Sequence, residues 1–143
     1  MKINIIYDSR HGNEEKIAED LMDMIKDEGD EAHIYHAKRT KPEKIGDADI
    51  HIFGSPTYIR GPSRKIKKII KKAPFSEKEG NYGIFTTSND GGGKAANKME
   101  KMLKKRGLKK AVSNLNLRVE GKKGPLERGH MEKIEGFLGE FAR

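Results

Sequence analysis

Three short segments carry residue types able to hold a ligand. The first is Ser9-Arg10-His11-Gly12-Asn13-Glu14. It follows a β-branched run and precedes a helical pattern, so it joins a strand to a helix N-terminus. Unpaired backbone N–H groups and the helix dipole favour an anion such as a phosphate at that place. Ser9 and Asn13 can donate hydrogen bonds from their side chains, and Gly12 lets the backbone curl close. The same residues would also serve as a plain helix cap, with Ser9 or Asn13 at the cap position. The second segment is Gly54-Ser55-Pro56-Thr57-Tyr58-Ile59-Arg60-Gly61. Here Tyr58 lies between a proline-restricted turn and a Gly-Pro pair. An aromatic on such a loop can stack on a planar ring or pack down on the loop itself. The third segment runs from Thr86 to Gly93 and includes Thr87, Ser88, Asn89 and Gly92. Its three consecutive glycines, Gly91 to Gly93, let backbone approach a flat ligand edge or leave the loop mobile.

Each segment ends a strand, and the rest of the pattern shows how they would meet. Lys2 to Tyr7 reads as a buried strand. From Glu14, apolar residues Ile17, Leu21, Met24 and Ile25 recur at helical spacing, and Gly29 closes that helix. Glu31 to His36 alternates like a strand. A connection through Thr40 to Glu43 follows, with a short helix to Ile45. Ala48 to Phe53 is the third strand, and Pro62-Ser63 opens a helix carrying Ile66, Ile69 and Ile70. Asn81 to Thr86 is the fourth strand, followed by a helix with Ala95, Met99, Met102 and Leu103 inward. Ala111 to Val119 reads as a last strand, and Leu126 to Phe141 as a last helix. Strands alternating with helices predict a parallel sheet covered on both faces. The expectation is a three-layer, doubly wound α/β fold, one domain over residues 1–143, with five strands ordered 2-1-3-4-5. In such sheets ligands bind outside the carboxyl ends of the strands, beside strand 1. The three segments converge there.

Composition narrows the chemistry. With 143 residues and 34% hydrophobic content the chain can bury a core. It has no cysteine, so disulfides, thiolate nucleophiles, iron–sulfur clusters and Cys-ligated zinc are excluded. His11, His33, His36, His51 and His130 lack zinc-motif spacing, and His51 reads as a core residue. No nucleophile elbow or G-x-G-x-x-G fingerprint occurs. No apolar run approaches the ~20 residues of a membrane span, and a cytoplasmic location is expected. The net charge of +8 favours acidic partners. Lysines gather at Arg64 to Lys72 and again from Lys101 to Lys110. The first reading of such runs is a solvated helix face opposite inward isoleucines. Taken together the two clusters also suit docking of an acidic redox partner, with nucleic acid ranked lower because no exposed aromatic series accompanies them.

The chain resembles the short-chain flavodoxins along nearly its whole length. Their phosphate loop reads roughly T/S-x-T-G-N-T after strand 1, where this chain has Ser9-Arg10-His11-Gly12-Asn13-Glu14. Phe53-Gly54-Ser55-Pro56-Thr57-Tyr58 is similar to the family's loop after strand 3, which supplies a ring-stacking aromatic. Thr86-Thr87-Ser88-Asn89 is similar to the loop after strand 4, which lines the isoalloxazine. The resemblance implies noncovalent FMN and electron transfer between partner proteins, with no side chain acting as acid or base. Ser9 to Glu14 would meet the phosphate, Tyr58 the ring, and Thr87, Ser88, Asn89 and Gly92 the pyrimidine edge. Arg60 beside the ring would make its second reduction potential less negative. The chain departs from the pattern at His11 and Glu14, which replace two hydroxyl residues. Glu14 brings negative charge toward a phosphate, a cost unless it points away or Arg10 or protonated His11 offsets it. Two other functions fit the same segments. One is an NAD(P)H-dependent FMN or quinone reductase, which would oxidise NAD(P)H steadily with a quinone. The other is a binding module of this fold that has lost FMN and purifies colourless.

Overall fold

A computed structural model describes residues 1–75, 80–121 and 123–141. Its central parallel strands are β1 (Lys2–Tyr7), β2 (Glu31–His36), β3 (Ile50–Pro56) and β4 (Asn81–Ser88). Two short strands, β5 (Lys109–Lys110) and β6 (Leu115–Arg118), both pair with β4. The order across the sheet is β2-β1-β3-β4-β5, all pairs parallel. Among the described residues four α-helices cover it: α1 (Asn13–Asp27), α2 (Arg64–Lys72), α3 (Lys94–Lys105) and α4 (His130–Gly139). Single 3-10 turns at Ala37–Arg39 and Pro42–Lys44 carry the chain from β2 to β3.

Each helix buries most of the stripe its sequence predicts, with Met24 of α1 and Met102 of α3 only partly buried. Ile17, Ala18, Leu21 and Ile25 of α1 and Ile134, Phe137 and Leu138 of α4 pack with Ile3, Ile5 and Ile52 on one face of the sheet. Ile66, Ile69 and Ile70 of α2 and Ala96, Met99 and Leu103 of α3 pack with Ile6, Phe53 and Ile84 on the other. Alternate residues of one strand therefore feed opposite cores. Each buried isoleucine contributes on the order of 2 kcal/mol. Helix α2 begins where Ser63 Oγ accepts the Ile66 N–H at 3.2 Å, a side-chain cap. Arg106, just beyond α3, donates to the carbonyls of Ile70 at 2.6 Å and Ala73 at 2.7 Å. These bonds tie the end of α3 to the end of α2.

Several boundaries differ from the sequence reading. Strand β3 runs through Gly54, Ser55 and Pro56, and β4 through Thr87 and Ser88, with Ser55 opposite Thr86 and Pro56 opposite Thr87. Gly54 is required there because a Cβ would lie 2.0 Å from the Phe85 ring. Pro56 is tolerated because its missing N–H faces the side where β1 has already ended, its register with β3 stopping at Tyr7. The fifth strand is divided. Between β5 and β6 the chain leaves the ladder, and Val112 packs over Gly83, whose Cβ position is 3.0 Å from Val112 Cγ1. The last helix starts at His130 rather than Leu126, because Leu126 bridges antiparallel to Val119 and Gly129 takes a left-handed turn.

Candidate functional site

The carboxyl ends of β1, β3 and β4 open into a cleft of about 310 Å³. The loop after β1 contributes Arg10, His11, Asn13 and Glu14. The end of β3 and the turn after it contribute Pro56, Thr57 and Tyr58, and β4 contributes Thr87, Ser88 and Asn89. Val119 and Lys123 close the far side. These last two were missed in the sequence. The signal was present in Gly121 and the Gly124-Pro125 pair, which mark a turn after the last strand and so on the same edge of the sheet.

The loop after β1 is closed on itself. Gly12 has φ +91° and stands at the N-cap of α1 with no side-chain cap, so neither Ser9 nor Asn13 caps the helix. Instead Ser9 Oγ accepts the Gly12 N–H at 3.0 Å and donates to Glu14 Oε1 at 3.2 Å. Thr87 Oγ1 donates to Glu14 Oε2 from β4. Glu14 is 2% exposed. Burial pushes its carboxyl above the ordinary carboxylate range, against the Thr87 and Ser9 hydroxyls, which pull it down. Asp8 adds to the rise by repulsion. Asp8 is itself buried and accepts the Ser9 N–H at 2.9 Å. On the opposite side of the loop, Gly124 lies so close to Asn13 that a Cβ would sit 2.8 Å from Asn13 Oδ1.

The turn after β3 is a tight four-residue reversal. Tyr58 N–H bonds Gly61 O at 2.8 Å, and Gly61 N–H returns to Tyr58 O at 3.0 Å. Gly61 has φ +105°, which favours glycine. Tyr58 is 36% exposed and faces the cleft, with burial, Asp8 and Glu14 raising its hydroxyl pKa and Arg10 lowering it. Thr57 N–H bonds Thr87 O at 2.9 Å, while Thr57 Oγ1 is buried without a partner. Ile59 projects at the tip, 89% exposed.

The remaining predicted residues stand beside the cleft rather than on its wall. Ser9 and Gly12 build the first loop. Ser55 is buried, accepting the Ser63 N–H at 3.0 Å and donating to Pro56 O at 2.8 Å, so it anchors the turn to α2. Gly92 donates its N–H to Asp90 Oδ1 at 2.8 Å in the loop after β4. Arg60 and Gly61 line a neighbouring hollow with Lys94, Asn97, Lys98 and Lys101, and Lys94 Nζ donates to Ile59 O. Arg60 therefore stands with the basic face of α3. Among the described residues no cluster suits a metal ion, and no helix is long and apolar enough to cross a membrane.

This sheet order, with three strand-end loops meeting beside strand 1, defines a flavodoxin-like fold. The chain matches the flavodoxin family over residues 5–137, and it belongs to that family. It is 31% identical over 91 residues to a flavodoxin of Clostridium saccharobutylicum, a match spanning 62% of this chain and 57% of that protein. Among solved structures it superposes on the flavodoxin of Streptococcus pneumonia TIGR4 with a TM-score of 0.81 and 20% identity, covering 98% of this chain and 97% of the other. Oxidised flavodoxin 1 from Bacillus cereus gives 0.78 and 19%, with 99% and 97% covered. The rubredoxin oxygen:oxidoreductase of Desulfovibrio gigas gives 0.80 and 20%, covering 98% of this chain and 35% of that larger one.

Proposed function

We propose that this flavodoxin-family chain binds FMN in the cleft and carries electrons between partner proteins in the cytoplasm. The observation that carries the reading is the buried, unpartnered Thr57 Oγ1 beside the half-open Tyr58. A buried hydroxyl without a partner is costly, and a ligand's hydrogen-bonding edge removes that cost. Tyr58 offers a face for a flat ring, and Ser88 and Asn89 offer polar groups on the opposite wall. When bound, FMN supplies one- and two-electron redox chemistry. The chain binds and orients the ring, shields it from water and sets the field around it.

The hollow of Arg60, Lys94, Lys98 and Lys101 adjoins the Tyr58 turn. A cationic face next to the ring site suits an acidic redox partner, steering its approach at low salt. The test of the cofactor is a titration of the full chain with FMN, followed by flavin fluorescence and visible absorbance. Saturation at one FMN per chain, weakened about tenfold by Tyr58→Ala, is expected. No saturable binding at tens of micromolar sinks the reading.

A further inference from the structure

Glu14 stands where an anionic ligand end would be received. It lies in the first turn of α1, where the helix dipole attracts negative charge. Both its carboxyl oxygens are already bonded, one by Ser9 and one by Thr87. Ser9 in turn holds the Gly12 N–H. The hydroxyls and the loop that could serve a phosphate are thus engaged by the chain's own carboxyl group. Other charged and titratable groups face it from each surrounding element. Asp8 at the end of β1 adds repulsion, and Tyr58 comes from the turn after β3. Arg10 and His11 share its loop, and Lys123 stands on the cleft's far wall.

We infer that Glu14 is a proton-linked occupant of the phosphate end, so that the cleft selects its ligand by the ring. At neutral pH it binds uncharged riboflavin at least as tightly as FMN, and it takes up FMN together with a proton. The inference rests on the flavin reading above. The physical reason is that a phosphate dianion and a carboxylate cannot share one buried site without strong repulsion. Protonation removes that charge in place and leaves a carboxylic acid that can donate to the phosphate. The proton balance is simple: one proton from solvent joins Glu14 as the FMN dianion enters, and no covalent bond to the ligand forms or breaks.

The experiment titrates the full chain with FMN and with riboflavin at about pH 6 and about pH 8, in wild type and in Glu14→Gln. FMN affinity should fall with rising pH by up to about tenfold per unit above the titration of Glu14. Riboflavin affinity should stay flat. Glu14→Gln should raise FMN affinity at the higher pH by about tenfold or more and leave riboflavin within about twofold. A measurement on wild type alone stands beside the variant. Calorimetry in two buffers of different ionisation enthalpy should register net proton uptake with FMN and none with riboflavin at about pH 8, where the phosphate is already a dianion. FMN binding more than about tenfold tighter than riboflavin, unchanged by Glu14→Gln and without proton uptake, overturns the inference and leaves the FMN reading standing. Binding of neither flavin to either protein overturns both.

Discussion

Glu14, in the first turn of α1, and His51, near the start of β3, are both buried ionisable side chains at opposite ends of the sheet. Burial is the main force on each and favours the neutral form in both. It raises the Glu14 carboxyl and lowers the His51 imidazole to about 4, with Asp47 opposing the latter shift. Their surroundings differ. Glu14 lines the cleft, and hydroxyls from β4 and its own loop hold both its oxygens. His51 is 1% exposed and packs against Phe75 at 4.9 Å and Phe53 at 6.4 Å between ring centres. Its Nδ1 lies 3.3 Å from Asn4 Nδ2, and its Nε2 has no partner. The same desolvation therefore has two outcomes. A group that lines a ligand space reports on binding, and a group sealed under aromatic rings reports only on folding.

The strongest way to break this separation is to disturb the strand that joins the two ends. Gly54→Ala places a Cβ 2.0 Å from Phe85 Cζ, inside the core. Urea unfolding should show a loss of about 3 kcal/mol. A loss under about 1 kcal/mol would mean that Phe85 shifts freely and that nothing rigid divides the ends of β3.

Acid titration of stability separates the two groups themselves. His51 has a folded pKa of about 4 against the ordinary 6.5 of an unfolded imidazole, so the unfolded chain takes its proton first. Its contribution is fully present above the unfolded value and is lost as pH falls through that window, by about 3 kcal/mol in all. His51→Leu should flatten this limb. An unflattened limb would move the blame to other groups. Glu14 acts with the opposite sign: its folded pKa lies above 4.5, so its contribution is present at low pH and is lost as pH rises. The smallest effect is expected at the first loop. Gly12 has φ +91° with open space where a Cβ would go. Gly12→Ala should therefore cost about 1 kcal/mol in unfolding, from backbone strain alone, with riboflavin affinity unchanged.

Much of this arrangement could be read from the residues in order. The β-branched run from Lys2 to Tyr7, the isoleucines of α2 and the alternation of strands and helices give a parallel sheet covered on both faces, and the count of five strands in this length matches the observed order. The ends of β3 and β4 could not be read so. Gly54, Pro56, Thr87 and Ser88 are turn-type residues locally, and only their pairing across β3 and β4 makes them strand. The break in the fifth strand was hidden for a related reason: apolar Ala111 and Val112 stand before Ser113-Asn114 and apolar Leu115, Leu117 and Val119 after them, so the stretch passes for one strand, and the pull of Val112 toward Gly83 is a tertiary contact. At the site, the identity of Glu14 was visible and its direction was not. That direction is set by Thr87, 73 residues further along the chain. Arg60 lies in the segment that forms one wall of the cleft, yet the turn closed by Tyr58 and Gly61 carries it round to α3.

The divided fifth strand bears on how the protein behaves in crowded solution. A sheet edge with a long unbroken row of free amide and carbonyl groups invites another chain to add a strand. Here that border consists of a two-residue strand and a four-residue strand, with an excursion between them held down by Val112. Lys109 and Lys110 make up the first of these and are exposed. An incoming strand would meet two short, interrupted ladders, one of them positively charged. On this flank the fold itself discourages the self-association by which sheet proteins aggregate.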